Sequence, residues 1–183
     1  MGLLNKLGKI VDVILEDDSE EISPKDDYIE KIPEDVAVEK GNHFEKYVVD
    51  LFDDKYYSIV EWTTDMGRKH DRYVESDTRP DLTMRYMLKD ESFCIECKFR
   101  SDLYQGKLQW SNPQQLKRYQ AFSRETGLPF FVVVGLGGSA ERPETMFCIP
   151  LEEAKYPGLY PSVFEKFERD PEKKFFWKNG VLK

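Results

Sequence analysis

Histidine and cysteine are scarce in this chain, with two of the first and three of the second among 183 residues. His43 and His70 alone do not build a histidine-rich metal centre. Three is an odd cysteine count, and Cys94 and Cys97 make the one C-x-x-C spacing. Period-two alternation places those two on opposite faces of one strand, so neither a redox pair nor a zinc ribbon is expected. That usage fits a reducing cytoplasm, the compartment expected here. No apolar run is long enough to span a bilayer, and no segment repeats. The amino terminus has no basic region followed by an unbroken apolar core, so a secretory signal is not expected. Lys6 breaks the myristoylation pattern. No GxxxxGK run exists, so Gly137-Gly138 is not read as a phosphate loop.

Positive charge is also short, and the formal net charge is −8. Its distribution matters more than its sum. Residues 1–40 hold 5 basic and 12 acidic residues, a balance of −7. The remaining 22 basic and 23 acidic residues balance at −1. Residues 67–124 hold 12 basic and 8 acidic residues, a local excess of +4. A modest positive field therefore lies in the middle of the chain, where it would attract an anion in a salt-sensitive way.

That middle contains the most informative stretch, PDLTMRYMLKDESFCIECK, from Pro80 to Lys98. Asp81 follows a proline, 14 residues intervene, and Glu96-Cys97-Lys98 closes it. Phe93, Ile95, Cys97 and Phe99 alternate with Cys94, Glu96, Lys98 and Arg100, which predicts a strand. Leu82, Met84, Tyr86 and Leu88 alternate with Asp81, Thr83 and Arg85 in the same manner. Lys89-Asp90-Glu91-Ser92 is polar enough to turn between them. If the apolar faces pack together, Asp81, Glu96 and Lys98 share the other face. Two carboxylates and a lysine on paired strands are the groups needed to hold a hard divalent cation and hydrolyse a phosphodiester. Sharing one cation requires Asp81 to lie nearly opposite Glu96. A register with Leu88 opposite Phe93 would separate them too far.

The flanking elements read as follows. Asn42 is a candidate cap for a helix through Phe44, Tyr47, Val48, Leu51 and Phe52. Tyr56–Trp62 is a strand. Ser111 or Asn112 caps a second helix, with Pro113 in its first turn and Gly127 and Pro129 at its end. Phe130–Leu136 reads as a strand buried on both faces, broken by Gly135-Leu136-Gly137-Gly138. Thr145–Ile149 is a short strand ended by Pro150. Leu151 to about Arg169 reads as mostly helical, interrupted near Pro157. Phe175-Phe176-Trp177, Asn179-Gly180 and Val181-Leu182 predict a hairpin with a type I′ turn. Three regions result: an amphipathic helix and acidic arm over 1–40, a core over 41–150, and a helical extension with terminal hairpin over 151–183.

Pro80-Asp81, then Glu96-Cys97-Lys98, resembles the signature of the PD-(D/E)xK nucleases, the restriction-endonuclease-like superfamily. The resemblance spans about residues 41–150. It implies an α/β fold, a central mixed sheet flanked by helices in the order αβββαβ. It also implies Mg²⁺-dependent hydrolysis of DNA, with Mn²⁺ as substitute, as in junction-resolving, restriction or repair nucleases. Asp81, Glu96 and the Cys97 carbonyl would hold metal, and Lys98 would position or activate water, as base or as electrostatic stabiliser. Glu45 is either the first-helix glutamate of the family or half of a capping box with Asn42. Gln115 and Tyr119, four apart on one helix face, resemble an accessory motif of some branches; equally, Tyr119 packs on the sheet and Gln115 is incidental.

Arg68, Lys69, Arg72, Arg100, Lys117 and Arg118 are the candidate phosphate contacts. His43 is either structural or a phosphate contact. Tyr104 and Trp110 either stack on splayed bases or cover the core. A different class of function stays open. The chain could be a binding module that keeps the fold without cutting, or act through residues 3–15 by self-association or docking on a partner subunit. The acidic surroundings of that segment disfavour an anionic membrane. Neither the choice between internal and terminal cleavage nor the form of the DNA is legible.

Overall fold

A computed structural model describes residues 34–63 and 79–183, with side chains from residue 38 onward. The expected helix over 3–15 and the basic residues Arg68, Lys69 and Arg72 lie outside the described residues. Helix α1 (Glu34–Asp50) precedes strands β1 (Tyr57–Trp62), β2 (Leu82–Tyr86) and β3 (Glu91–Arg100). Strand β4 (Leu108–Gln109), helix α2 (Pro113–Thr126), β5 (Phe130–Ser139) and β6 (Arg142–Pro150) follow. Beyond them come β7 (Gly158–Leu159), α3 (Pro161–Phe164), β8 (Glu168–Arg169), β9 (Trp177–Lys178) and β10 (Val181–Leu182). Six strands form one mixed sheet in the order β1-β2-β3-β5-β6-β8, with β3 and β5 parallel and the other pairs antiparallel. This is the αβββαβ order that the sequence implies. A parallel pair needs a crossover, and α2 supplies it.

Period two explains why β3 lies at the centre. Phe93, Ile95 and Cys97 enter a core with Phe44 and Val48 of α1. Cys94 enters a second core with Leu116 and Tyr119 of α2 and Val132 of β5. The sheet is thus packed on both faces, and the polar residues of β3 lie on the α2 side.

Several boundaries differ from the sequence reading. Helix α1 runs through Gly41 and Asn42, so Asn42 caps nothing. Gly and Asn each cost a helix about 0.5–1 kcal/mol, which burial of Phe44, Val48, Leu51 and Phe52 outweighs. The hairpin turn falls on Met87–Asp90 rather than Lys89–Ser92. Gly137 and Gly138 do not end β5. They take φ of 73° and 67°, open to glycine without strain, and pairing continues through Gly138↔Pro143 and Ser139↔Arg142. Strand β6 accordingly begins at Arg142. The stretch 151–169 holds one turn of α-helix and one of 3₁₀-helix, because Pro157, Gly158 and Pro161 interrupt any longer run. The terminal hairpin is as expected, with φ of 53° at Asn179 and 77° at Gly180.

Gly135 ties the fold to the site. A Cβ there would sit 2.5 Å from Phe44 Cε2, and Phe44 is fully buried one residue before Glu45. Gly135→Ala is expected to cost about 1–3 kcal/mol by overpacking. Urea denaturation checks it, and an unchanged midpoint would mean that α1 does not pack there.

Candidate active site

The β2–β3 ladder pairs Leu82↔Ile95, Thr83↔Cys94 and Tyr86↔Glu91. One residue further along that register, Asp81 falls opposite Glu96. A four-residue turn thereby provides what the shared-cation reading requires, with no bulge between the two strands. Asp81 is held where the ladder ends. Its Oδ2 accepts the Cys97 amide at 2.7 Å, and its carbonyl accepts the Thr63 amide at 2.8 Å.

Glu96 is 1 % exposed. Its Oε1 accepts the Tyr119 hydroxyl at 2.6 Å and lies 2.5 Å from Lys98 Nζ. Its Oε2 is buried without a hydrogen-bond partner among the described residues. Lys98, two residues on along the same strand face, keeps its side chain 20 % exposed. Glu45 approaches from α1, buried, with Oε2 accepting Trp62 Nε1 at 3.1 Å. The helix passing through Asn42 removes the capping-box reading of Glu45. Trp62 is the residue that sequence reasoning missed here. It reads only as a strand end, and its proximity to Glu45 is a product of packing.

The site groups shift one another's pKa values. Burial pushes the Asp81 carboxyl well above the usual carboxylate range, Glu96 and Glu45 add to the shift, and Lys98 and the Cys97 amide oppose it. Burial alone would lower Lys98, but Glu96 and Asp81 outweigh it and hold the ammonium above the ordinary lysine value. Tyr119 is raised by burial and then by Glu96, so it stays a phenol and donates. Burial raises all three cysteines, Cys94 to about 11, Cys148 to about 12 and Cys97 well above its ordinary value. Thiols kept neutral by burial are poor nucleophiles.

The remaining candidates separate. Tyr119 reaches the site, but Gln115 does not. Asn112 Oδ1 accepts the Gln114 and Gln115 amides, and Gln115 Oε1 accepts the Asn112 amide, a closed capping box at the start of α2. Arg100 is half-buried, donating to the Gln109 carbonyl at 2.5 Å and the Phe99 carbonyl at 2.7 Å. Two of its guanidinium donors are thereby engaged by backbone carbonyls within the protein. Lys117 is exposed on α2, whereas Arg118 is half-buried. His43 pairs with Glu141 at 2.5 Å on the surface. Trp110 is buried, donating to the Tyr156 carbonyl at 2.8 Å, while Tyr104 is exposed.

Removing the Tyr119 hydroxyl leaves Glu96 with Lys98 alone. Tyr119→Phe is expected to cost about 1.5–3 kcal/mol, the range for a hydrogen bond to a charged group. The urea midpoint measures it, and no loss would mean that the bond does not form.

The fold is an α/β architecture, a central six-stranded mixed sheet flanked by helices, with Asp81, Glu96 and Lys98 clustered at its β2–β3 pair. Among solved structures, the chain is similar to Hjc, a Holliday junction resolvase from Archaeoglobus fulgidus. Identity is 16 %, the match covers 68 % of this chain and 89 % of that one, and the TM-score is 0.45. No protein-family model and no curated protein matches the sequence.

Proposed function

We propose that this chain is a divalent-metal-dependent nuclease that hydrolyses DNA phosphodiesters. The observation that carries the reading is the β2–β3 register, which sets Asp81 opposite Glu96 and leaves Lys98 beside them. The donors fit a hard cation. Glu96 Oε2 is buried and unpartnered among the described residues, and Asp81 carries the mutual repulsion of Glu96 and Glu45. Among those residues no three His, Cys, Asp or Glu side chains are placed to hold a metal by themselves. The pair Asp81 and Glu96 suits Mg²⁺, which usually takes one or two carboxylates and keeps several waters. Asp81 and Glu96, with the Cys97 carbonyl, would hold it. When bound, such a cation supplies Lewis-acid charge at the phosphoryl oxygens.

The protein's own groups do the rest. Lys98 is protonated, so it acts as a donor, orienting the attacking water and holding negative charge on a phosphate oxygen. Tyr119 fixes the Glu96 rotamer, and Trp62 fixes Glu45. The test is titration of Mg²⁺ or Mn²⁺ into the wild type and Glu96→Ala by calorimetry, followed by cleavage assays on mixed DNA substrates. Binding and cleavage that both vanish in the variant support the nuclease. No metal binding by the wild type, with DNA present, would make the cluster a structural ion network and favour a non-cleaving module.

A further inference from the structure

Tyr104, Gln105, Gly106 and Lys107 close a tight hairpin. The amides of Tyr104 and Lys107 bond each other's carbonyls at 2.9 and 3.0 Å, and φ is 51° at Gln105 and 71° at Gly106. Its second arm continues into β4, which pairs with β7 as Leu108↔Leu159 and Gln109↔Gly158. Leu108 and Leu159 are buried in the core beneath α2. Alternation turns their neighbours outward. One step along the register sets Lys107 opposite Tyr160, and its ammonium lies 4.7 Å from the Tyr160 ring centroid. Directly opposed residues share a face, so Tyr104, Lys107 and Tyr160 form one outward row. Tyr104 is 55 % and Tyr160 58 % exposed. Tyr156, which enters β7, is more exposed still. Three of the five exposed aromatic side chains among the described residues therefore lie on or beside this ribbon.

The ribbon is fastened to the site from two directions. Arg100, two residues beyond Lys98 on the same face of β3, donates to the Gln109 carbonyl. Trp110, the next residue of the ribbon, stacks on Tyr119 at 6.0 Å, and Tyr119 bonds Glu96. We infer that the outward row is a stacking platform for unpaired nucleotides, so that the substrate carries single-stranded DNA beside the scissile phosphate. Flat rings on either side of a cation suit bases and the phosphodiester between them. Bases inside a duplex offer no free faces to such rings. This rests on the nuclease reading for its substrate but not for its test.

Binding is measured by fluorescence anisotropy in EDTA, where nothing is cut, with a labelled thymidine oligonucleotide of roughly 15 nucleotides and with a hairpin duplex. The wild type is expected to prefer the single strand. Tyr104→Ala/Tyr160→Ala is expected to weaken single-strand binding about tenfold or more, with duplex binding unchanged. Tyr104→Phe/Tyr160→Phe is expected to retain the affinity, since the ring and not the hydroxyl carries stacking. Equal single-strand affinity in the wild type and the alanine pair, or loss in the phenylalanine pair, overturns the platform. A protein that shows the ring dependence yet cuts no DNA with Mg²⁺ keeps the platform and sinks the nuclease. One that cuts DNA without ring dependence does the reverse.

Discussion

Glu96→Gln is expected to lower DNA cleavage by about 10³-fold or more, the scale for loss of a group that stabilises transition-state charge. Gln nearly preserves shape, so the loss isolates charge. Without the carboxylate, the Lys98 ammonium loses the partner at 2.5 Å, and the cation loses a buried ligand. The same variant is expected to lose about 1–3 kcal/mol of stability, because Lys98 and Tyr119 each lose a charge-assisted partner. Lys98 is partly solvated, which keeps that cost below the value for a fully buried pair. Single-turnover cleavage with Mg²⁺ and a urea titration separate the two effects. Asp81→Ala and Lys98→Ala should also abolish cleavage with the fold retained. Full activity in any of the three would end the assignment.

Asp81→Asn should act on stability in the opposite sense. The folded state raises the Asp81 pKa, first by burial and then through Glu96 and Glu45, against Lys98 and the Cys97 amide. The folded protein therefore holds this proton more tightly than the unfolded chain. The stability it confers is full below the ordinary carboxylate pKa and is lost as pH rises through the raised value. Metal-free wild type should thus lose stability between acid and neutral pH, and Asp81→Asn should lose less. On the proposed function, Mg²⁺ would relieve the same repulsion by binding. At 100 times its dissociation constant it would add about 2.7 kcal/mol, or about 5–10 °C in Tm for a chain of this size. Asp81→Asn should show little of that rise. Thermal melts at pH 5 and 8, with and without Mg²⁺, read both outcomes. Identical Mg²⁺ responses in the two proteins would remove Asp81 from the metal site.

Period two made much of this readable beforehand. Alternation along Phe93–Arg100 separates the apolar face from Glu96 and Lys98 whatever the neighbours are. The capping residues of α2 and the Asn179-Gly180 turn act locally, and both formed as their chemistry requires. Errors arose where local preference met tertiary burial. Asn42 favours a cap, but the apolar stripe of α1 extends the helix past it. Of the two readings of Gln115, its side chain accepts the Asn112 amide in the cap of α2, as the incidental one has it. The bond from Arg100 to the ribbon's Gln109 carbonyl likewise depends on which elements meet.

The chain by itself therefore determined which residues could do chemistry, because side-chain type and alternation are local properties. Glu96 and Lys98 were on one face of their strand before any neighbour was known. Tertiary structure alone decided the rest, since register depends on turn length and contacts depend on which elements cross. A turn at Met87–Asp90 set Asp81 against Glu96. The α2 crossover brought Tyr119 to Glu96 and left the tyrosines of the ribbon facing outward. Packing of α1 carried Glu45 to Trp62, a contact 17 residues apart in sequence that no spacing rule encodes.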